Sequence, residues 1–176
     1  GHIEHAGTGT LHVAADTLAG TRGVIASNGV LALTGQNVTL DAGQTTASKL
    51  TLTTENLSNK GGQLLQTGTE AASIQASGTL DNTSGRIAVN GVDLSLKAAS
   101  LSNTEGRIEH AGTGTLNVAA DTLAGTRGVI ASNGALALAG KTVTLDAGQT
   151  TASKLTFTTE NLSNKGGQLL QTGTGA

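Results

Sequence analysis

The chain has no cysteine, proline, methionine, tryptophan or tyrosine, and a single phenylalanine in 176 residues. Without Cys there is no disulfide framework and no thiolate metal site. Without aromatics, the usual bulky fillers of a globular core are missing. Charge is scarce as well: Lys and Arg number 10 against 12 Asp and Glu, for a net charge of -2, which leaves no basic stripe for nucleic acid or anionic membrane. No apolar run approaches the roughly 18 to 20 residues of a membrane-spanning helix, and no signal peptide opens the sequence. What remains is aliphatic and small polar. Leu, Ile, Val and Phe make up a little over a fifth of the residues, and Gly accounts for 26. That is enough apolar content to avoid the signature of disorder, and it suits a narrow core of stacked aliphatics with small turn residues outside.

The stretch from Leu80 to Ile108 states one phrase twice. Leu80, Asn82, Gly85, Arg86 and Ile87 return as Leu101, Asn103, Gly106, Arg107 and Ile108, a shift of 21 positions. A unit of about 20 residues cannot bury its own apolar face, so such units must stack to make a core. A larger period lies above this one. Ile3 to Ala71 realigns on Ile108 to Ala176 with a shift of 105 and seven differences, so the superrepeat is five coils and residues 1–176 form one solenoid of about eight. The coils Asn37 to Thr54 and Thr142 to Thr159 fit the phrase poorly, and local bulging is expected there.

Within each coil apolar residues alternate over short spans, as at Leu31/Leu33, Leu94/Leu96, Leu116/Val118, Leu136/Leu138 and Leu155/Phe157. Period two means a strand with one face in and one face out, and no window carries amphipathic helical spacing. Asn-Gly, Gly-Thr-Gly and Asn-Thr-Ser-Gly punctuate the spans as turn signals. Asn-Gly also fits a hairpin turn, but hairpins would not require a 21-residue period to persist through every unit. Equivalent strands stacked in register make parallel sheets wound right-handed. The expected fold is therefore all-β, a right-handed parallel β-helix, about 40 Å long for eight coils at the usual strand spacing.

This winding predicts side-chain columns. Leu18, Leu57, Leu80, Leu101, Leu123 and Leu162 should form one internal stack, and Ile25, Ile87, Ile108 and Ile130 another. Asn59, Asn82, Asn103 and Asn164 should sit at a corner, where stacked amides bond one another or the turn backbone. The same Asn row also admits a reading as a sugar-binding row.

The phrase L-x-N-x-x-G-x-I followed by G-x-L-x-L, carried by Leu80/Asn82/Gly85/Ile87, Leu101/Asn103/Gly106/Ile108, Leu57/Asn59/Gly62/Leu64 and Leu162/Asn164/Gly167/Leu169, resembles the haemagglutinin repeat. That repeat builds the shafts of filamentous haemagglutinin and the related contact-dependent growth inhibition effectors. The resemblance covers nearly the whole chain. It implies export through an outer-membrane secretion partner of the two-partner system. It also implies a place on the bacterial surface as part of a secreted adhesin or toxin-delivery protein, with a host or target-cell receptor engaged through other regions. Nothing resembles the family's secretion domain, toxin or receptor-binding region, so the expectation is a shaft segment.

Catalytic candidates are thin. Glu4/His5 and Glu109/His110 are the only acid and histidine neighbours, and adjacent strand residues point to opposite faces, so they read as solvated side chains. The four His are not spaced as metal ligands. Asp16, Asp41, Asp121 and Asp146 recur with the superrepeat and read as turn formers. Gly61-Gly62 and Gly166-Gly167 lack the Gly and Asp of a calcium-binding β-roll, and Gly7-x-Gly9 lacks the rest of a nucleotide fingerprint. The expectation is no enzyme, no cofactor and no metal. Three roles stay open: a rigid shaft, a Thr/Asn-rich flat face that binds host glycan or protein, and an ice-binding rod, although T-x-T occurs only at Thr51/Thr53 and Thr156/Thr158. Asn37, Asn56, Asn82 and Asn161 head N-x-S/T triplets, which a Thr/Ser-rich repeat also generates by chance. Unpaired strand edges at the two ends predict end-to-end self-association.

Overall fold

A computed structural model describes residues 1–174; the last two residues of the second superrepeat, Gly175 and Ala176, lie outside the described residues. The chain winds as a parallel β-helix. Every strand runs parallel to its neighbours, and seventeen strands join in one continuous hydrogen-bonded sheet that wraps round on itself. A single coil shows the plan. Strand β9 (Arg86–Val89) forms the first face, and β10 (Leu94–Ser102) bends across the second and third. On one side β10 pairs with β7 (Ala72–Ala76) and β8 (Thr79–Asp81), and on the other with β12 (Thr115–Ala124). In that pairing Leu94 meets Leu116, Leu96 meets Val118 and Leu101 meets Leu123. Inward side chains alternate with outward ones, so the period-two spans of the sequence are the three short faces of each coil.

Four aliphatic columns fill the interior. The predicted Leu column is real and is completed by two valines, running Leu18, Val38, Leu57, Leu80, Leu101, Leu123, Val143, Leu162. The predicted Ile column runs Ile3, Ile25, Thr45, Leu64, Ile87, Ile108, Ile130, Thr150, Leu169. Thr45 and Thr150 stand in it at 2% exposure; a β-branched side chain fits the stiff slot of a stacked strand. Burial departs from the expectation only toward the ends. Leu57, Leu80, Leu101 and Leu123 are at most 1% exposed, whereas Leu18 is partly buried and Leu162 is 42% exposed. Leu162 lies in the last full coil, with no coil stacked beyond it.

The coils are not equal in length. Along the Ile column the steps from Ile3 to Ile108 are 22, 20, 19, 23 and 21 residues, which make up the 105-residue superrepeat. Nearly all of this variation falls at one corner, between the first and second faces. Ile3 to Leu11, Ile25 to Leu31, Thr45 to Leu50, Leu64 to Ala72 and Ile87 to Leu94 span 8, 6, 5, 8 and 7 residues. The other two sides keep seven, except that Ala72 to Leu80 takes eight. The bulging expected in Asn37 to Thr54 and Thr142 to Thr159 is therefore a shortening at this corner, at Ser48 and Ser153. The register shift in the pairing of β4 (Val24–Thr39) with β5 (Gln44–Ser58) falls at this same corner, where Asn28 and Gly29, between Ser27 and Val30, stand opposite the single residue Ser48. Past the corner these coils pair regularly and keep their columns.

Candidate functional site

The polar residues with fixed partners fall at two corners and on one face. At the turn that leaves the third face, one residue per coil adopts a left-handed conformation. These are Arg22, Ala42, Gly61, Ser84, Glu105, Arg127, Ala147 and Gly166, with φ between 53° and 64°. The next residue is always Gly, for a steric reason: a Cβ on Gly85 or Gly106 would stand 2.1 Å from the backbone oxygen of Asn59 or Asn82 in the preceding coil. This close approach explains the Gly of the repeated phrase.

The Asn of the phrase forms a ladder inside the same turn. Asn59 Nδ2 donates to Asn82 Oδ1 at 2.8 Å, and Asn82 Nδ2 donates to Asn103 Oδ1 at 2.8 Å. Each of these amides also donates to its own turn or the next coil, Asn82 to Gly85 O and Arg107 O, and Asn103 to Val129 O. All three are 0% exposed. Asn164 does not join them. Gly125 and Leu145 occupy the intervening slots, so Asn164 bonds only Gly167 O of its own turn, and its Oδ1 is buried without a partner. Asn59 Oδ1 is orphaned in the same way, because Leu40 fills the slot before it. Asn59, Asn82 and Asn103 are 0% exposed and turned into the coil, so their amides are out of reach of a sugar at the surface.

At the corner of variable length, inward polar side chains take up the backbone groups that unequal coils leave unmatched. Gln66 Oε1 accepts from Leu50 N at 2.7 Å, while its Nε2 donates to Gly68 O and Glu70 O. Gln171 repeats the first bond with Leu155 N. His110 is 2% exposed: Nε2 faces Gly91 O and Val92 O at 3.0 and 3.1 Å, and Nδ1 faces Ser132 Oγ at 2.8 Å. This corrects the expectation of a solvated His110. Glu109 does point outward as alternation requires, into hydrogen bonds with Arg86 and Arg107. Burial raises the Glu109 carboxyl pKa, but bonds from the two guanidinium groups outweigh it and hold the group below its usual value. Asp81 follows the same balance, with Thr83 and Lys60 outweighing burial. Asp146 is lowered by Ser163 and Lys165. Asp41 and Asp146 accept from Ser58 and Ser163, one coil on, so these acids tie coils together in addition to shaping their own turns.

The third face turns Thr, Ser and Asn outward almost without interruption, including Asn37, Thr39, Asn56, Ser58, Thr142 and Asn161. Three of the four N-x-S/T triplets project here; Asn82 lies buried in the ladder. Surface depressions are open, one of them lined by Thr53, Gln75, Ser77, Lys97 and Asp121. Among the described residues no three His, Asp or Glu side chains converge on a point.

Against known proteins, the chain is 42% identical over 87 residues to the tRNA nuclease CdiA-2 of Burkholderia pseudomallei (strain 1026b). That match takes in 47% of this chain and 3% of the relative's length. No family model matches the sequence and no solved structure matches it. The relative and the solenoid together fit the contact-dependent inhibition and haemagglutinin-repeat proteins, and the likeness to CdiA-2 points to a secreted or cell-surface exoprotein.

Proposed function

We propose that this chain is a rigid shaft segment of a secreted bacterial surface protein of the two-partner type, setting the distance between the cell and a binding or toxin region elsewhere in the parent. The observation that carries this reading is that four inward columns, apolar except at Thr45 and Thr150, stay stacked along the faces of successive coils while the changes in length fall at the corners. Such a core fixes length and direction while asking nothing specific of the outward positions. On this reading the segment has no catalytic centre of its own, and a tRNA-cleaving activity like that named for the relative would belong to another part of the parent.

The test is to change length and surface separately. Deleting one superrepeat, residues 3–107, shortens the rod by about five strand spacings, or about 24 Å. Delivery or adhesion by the parent should change with reach. Replacing outward Thr and Asn of the third face by Ser should leave it unchanged. Loss of function on surface replacement at constant length would sink the shaft reading. A second reading, direct adhesion, is favoured by the continuous hydroxyl and amide face. A glycan array probed with the isolated chain separates the two, since specific binding supports adhesion.

A further inference from the structure

Three Asn-Gly steps lie at the corner of variable length, and they are not held alike. Asn28, Asn90 and Asn133 each reach across to a carbonyl of the preceding coil: Ala6 O at 2.9 Å, Thr67 O at 3.3 Å and Ala111 O at 3.0 Å. The glycines differ more. Gly29 N and Gly134 N each donate to a serine hydroxyl two residues back, Ser27 Oγ and Ser132 Oγ, both at 3.2 Å. In the coil of Asn90 that serine is replaced by Val89, which has no hydroxyl, and the Gly91 N–H makes no hydrogen bond among the described residues.

We propose that Asn90 is a site of spontaneous covalent modification, deamidating through a succinimide while Asn28 and Asn133 are spared. The Gly91 amide gives its proton to solvent base, and its nitrogen attacks Asn90 Cγ. The bond from Cγ to Nδ2 breaks and ammonia leaves, closing a five-membered imide. Water then adds to either imide carbonyl and yields an aspartyl or an isoaspartyl linkage. Glycine offers no side chain to obstruct the attack, and water is the only co-reactant. Asn90 and Val92 on either side are exposed, Val92 at 46%, while Gly91 itself is buried, as Gly29 and Gly134 are, so what sets this step apart is the missing hydrogen bond rather than access to water. At Gly29 and Gly134 the nitrogen must first surrender its bond to serine. The product carboxylate at position 90 would face the Thr67 carbonyl, acceptor against acceptor, so the tie between coils is lost.

The three steps fall on separate tryptic peptides, so mass spectrometry of the chain held at mildly alkaline pH reads each rate. In the folded protein Asn90 should convert at least about tenfold faster than Asn28 and Asn133, and in concentrated urea the three rates should converge. Equal rates in the folded chain, or an unchanged ranking in urea, would overturn the proposal. Ser132→Ala adds a second reading, with Asn28 as internal control. Faster conversion at Asn133 alone supports the serine clamp, and an Asn133 that stays slow refutes it.

Discussion

Asn82 donates and accepts along the ladder, whereas Asn59 only donates, because its Oδ1 already lacks a partner. The two Ala substitutions should therefore differ. Asn82→Ala orphans groups on both neighbours inside the core and should cost about 2 to 3 kcal/mol. Asn59→Ala removes an acceptor that was already unpaired and should cost about 1 kcal/mol less, read from urea midpoints at constant slope. Backbone strain gives the opposite sign at Ala42, a non-Gly residue at φ 53° whose equivalent one coil on is Gly61 at φ 60°. Ala42→Gly should stabilise by about 0.5 to 1 kcal/mol once the larger unfolded entropy of Gly is subtracted. Position along the rod decides the third case. Leu101→Ala empties a fully buried slot and should cost about 2 to 5 kcal/mol. In Leu162→Ala the same chemistry at 42% exposure should cost under about 1.5 kcal/mol.

Between neighbouring coils, Glu109 joins Arg86 of one to Arg107 of its own. Its folded pKa is lowered from an ordinary 4.5. The stability it contributes is present above that value and is lost as pH falls through the lowered folded value. Partial exposure keeps the contribution below about 1 kcal/mol. Comparing wild type with Glu109→Gln across pH 3 to 6 should show the difference in urea midpoint shrinking toward acid. At this scale the sequence was legible where spacing alone fixes the outcome. The Leu80 to Ile108 phrase placed the Leu and Ile columns and the Asn corner. Val38 reads as an apolar position of its coil, but the spacing assigns neither it nor Val143 to the Leu column, because their coils are short and missing residues at one corner blur the period while leaving every column intact. His110, Gln66 and Asn164 were hidden for a different reason. Whether a polar side chain is buried at the corner depends on the loop length of the coil beside it, a relation between residues about 20 apart rather than a local pattern.

At the scale of the molecule, each coil contacts only its neighbours, so stability is a sum of coil and interface contributions. The end coils, with Ile3, Leu162, Leu169 and Leu170 exposed, should exchange amide hydrogen fastest and the coils around Leu101 slowest. The uneven corner has a further consequence. Because the chain there already ranges from 5 to 8 residues without disturbing a column, that seam is where a foreign peptide can be grafted. A flexible insert of about 10 residues after Ser48 should cost only the slow logarithmic entropy of a longer loop. The same insert after Ser58 would split an amide ladder and unfold the segment. One edge of the rod is thus open to display while the other two are closed to it, and a row of grafts set at successive coils would stand about 5 Å apart, like markings on a ruler.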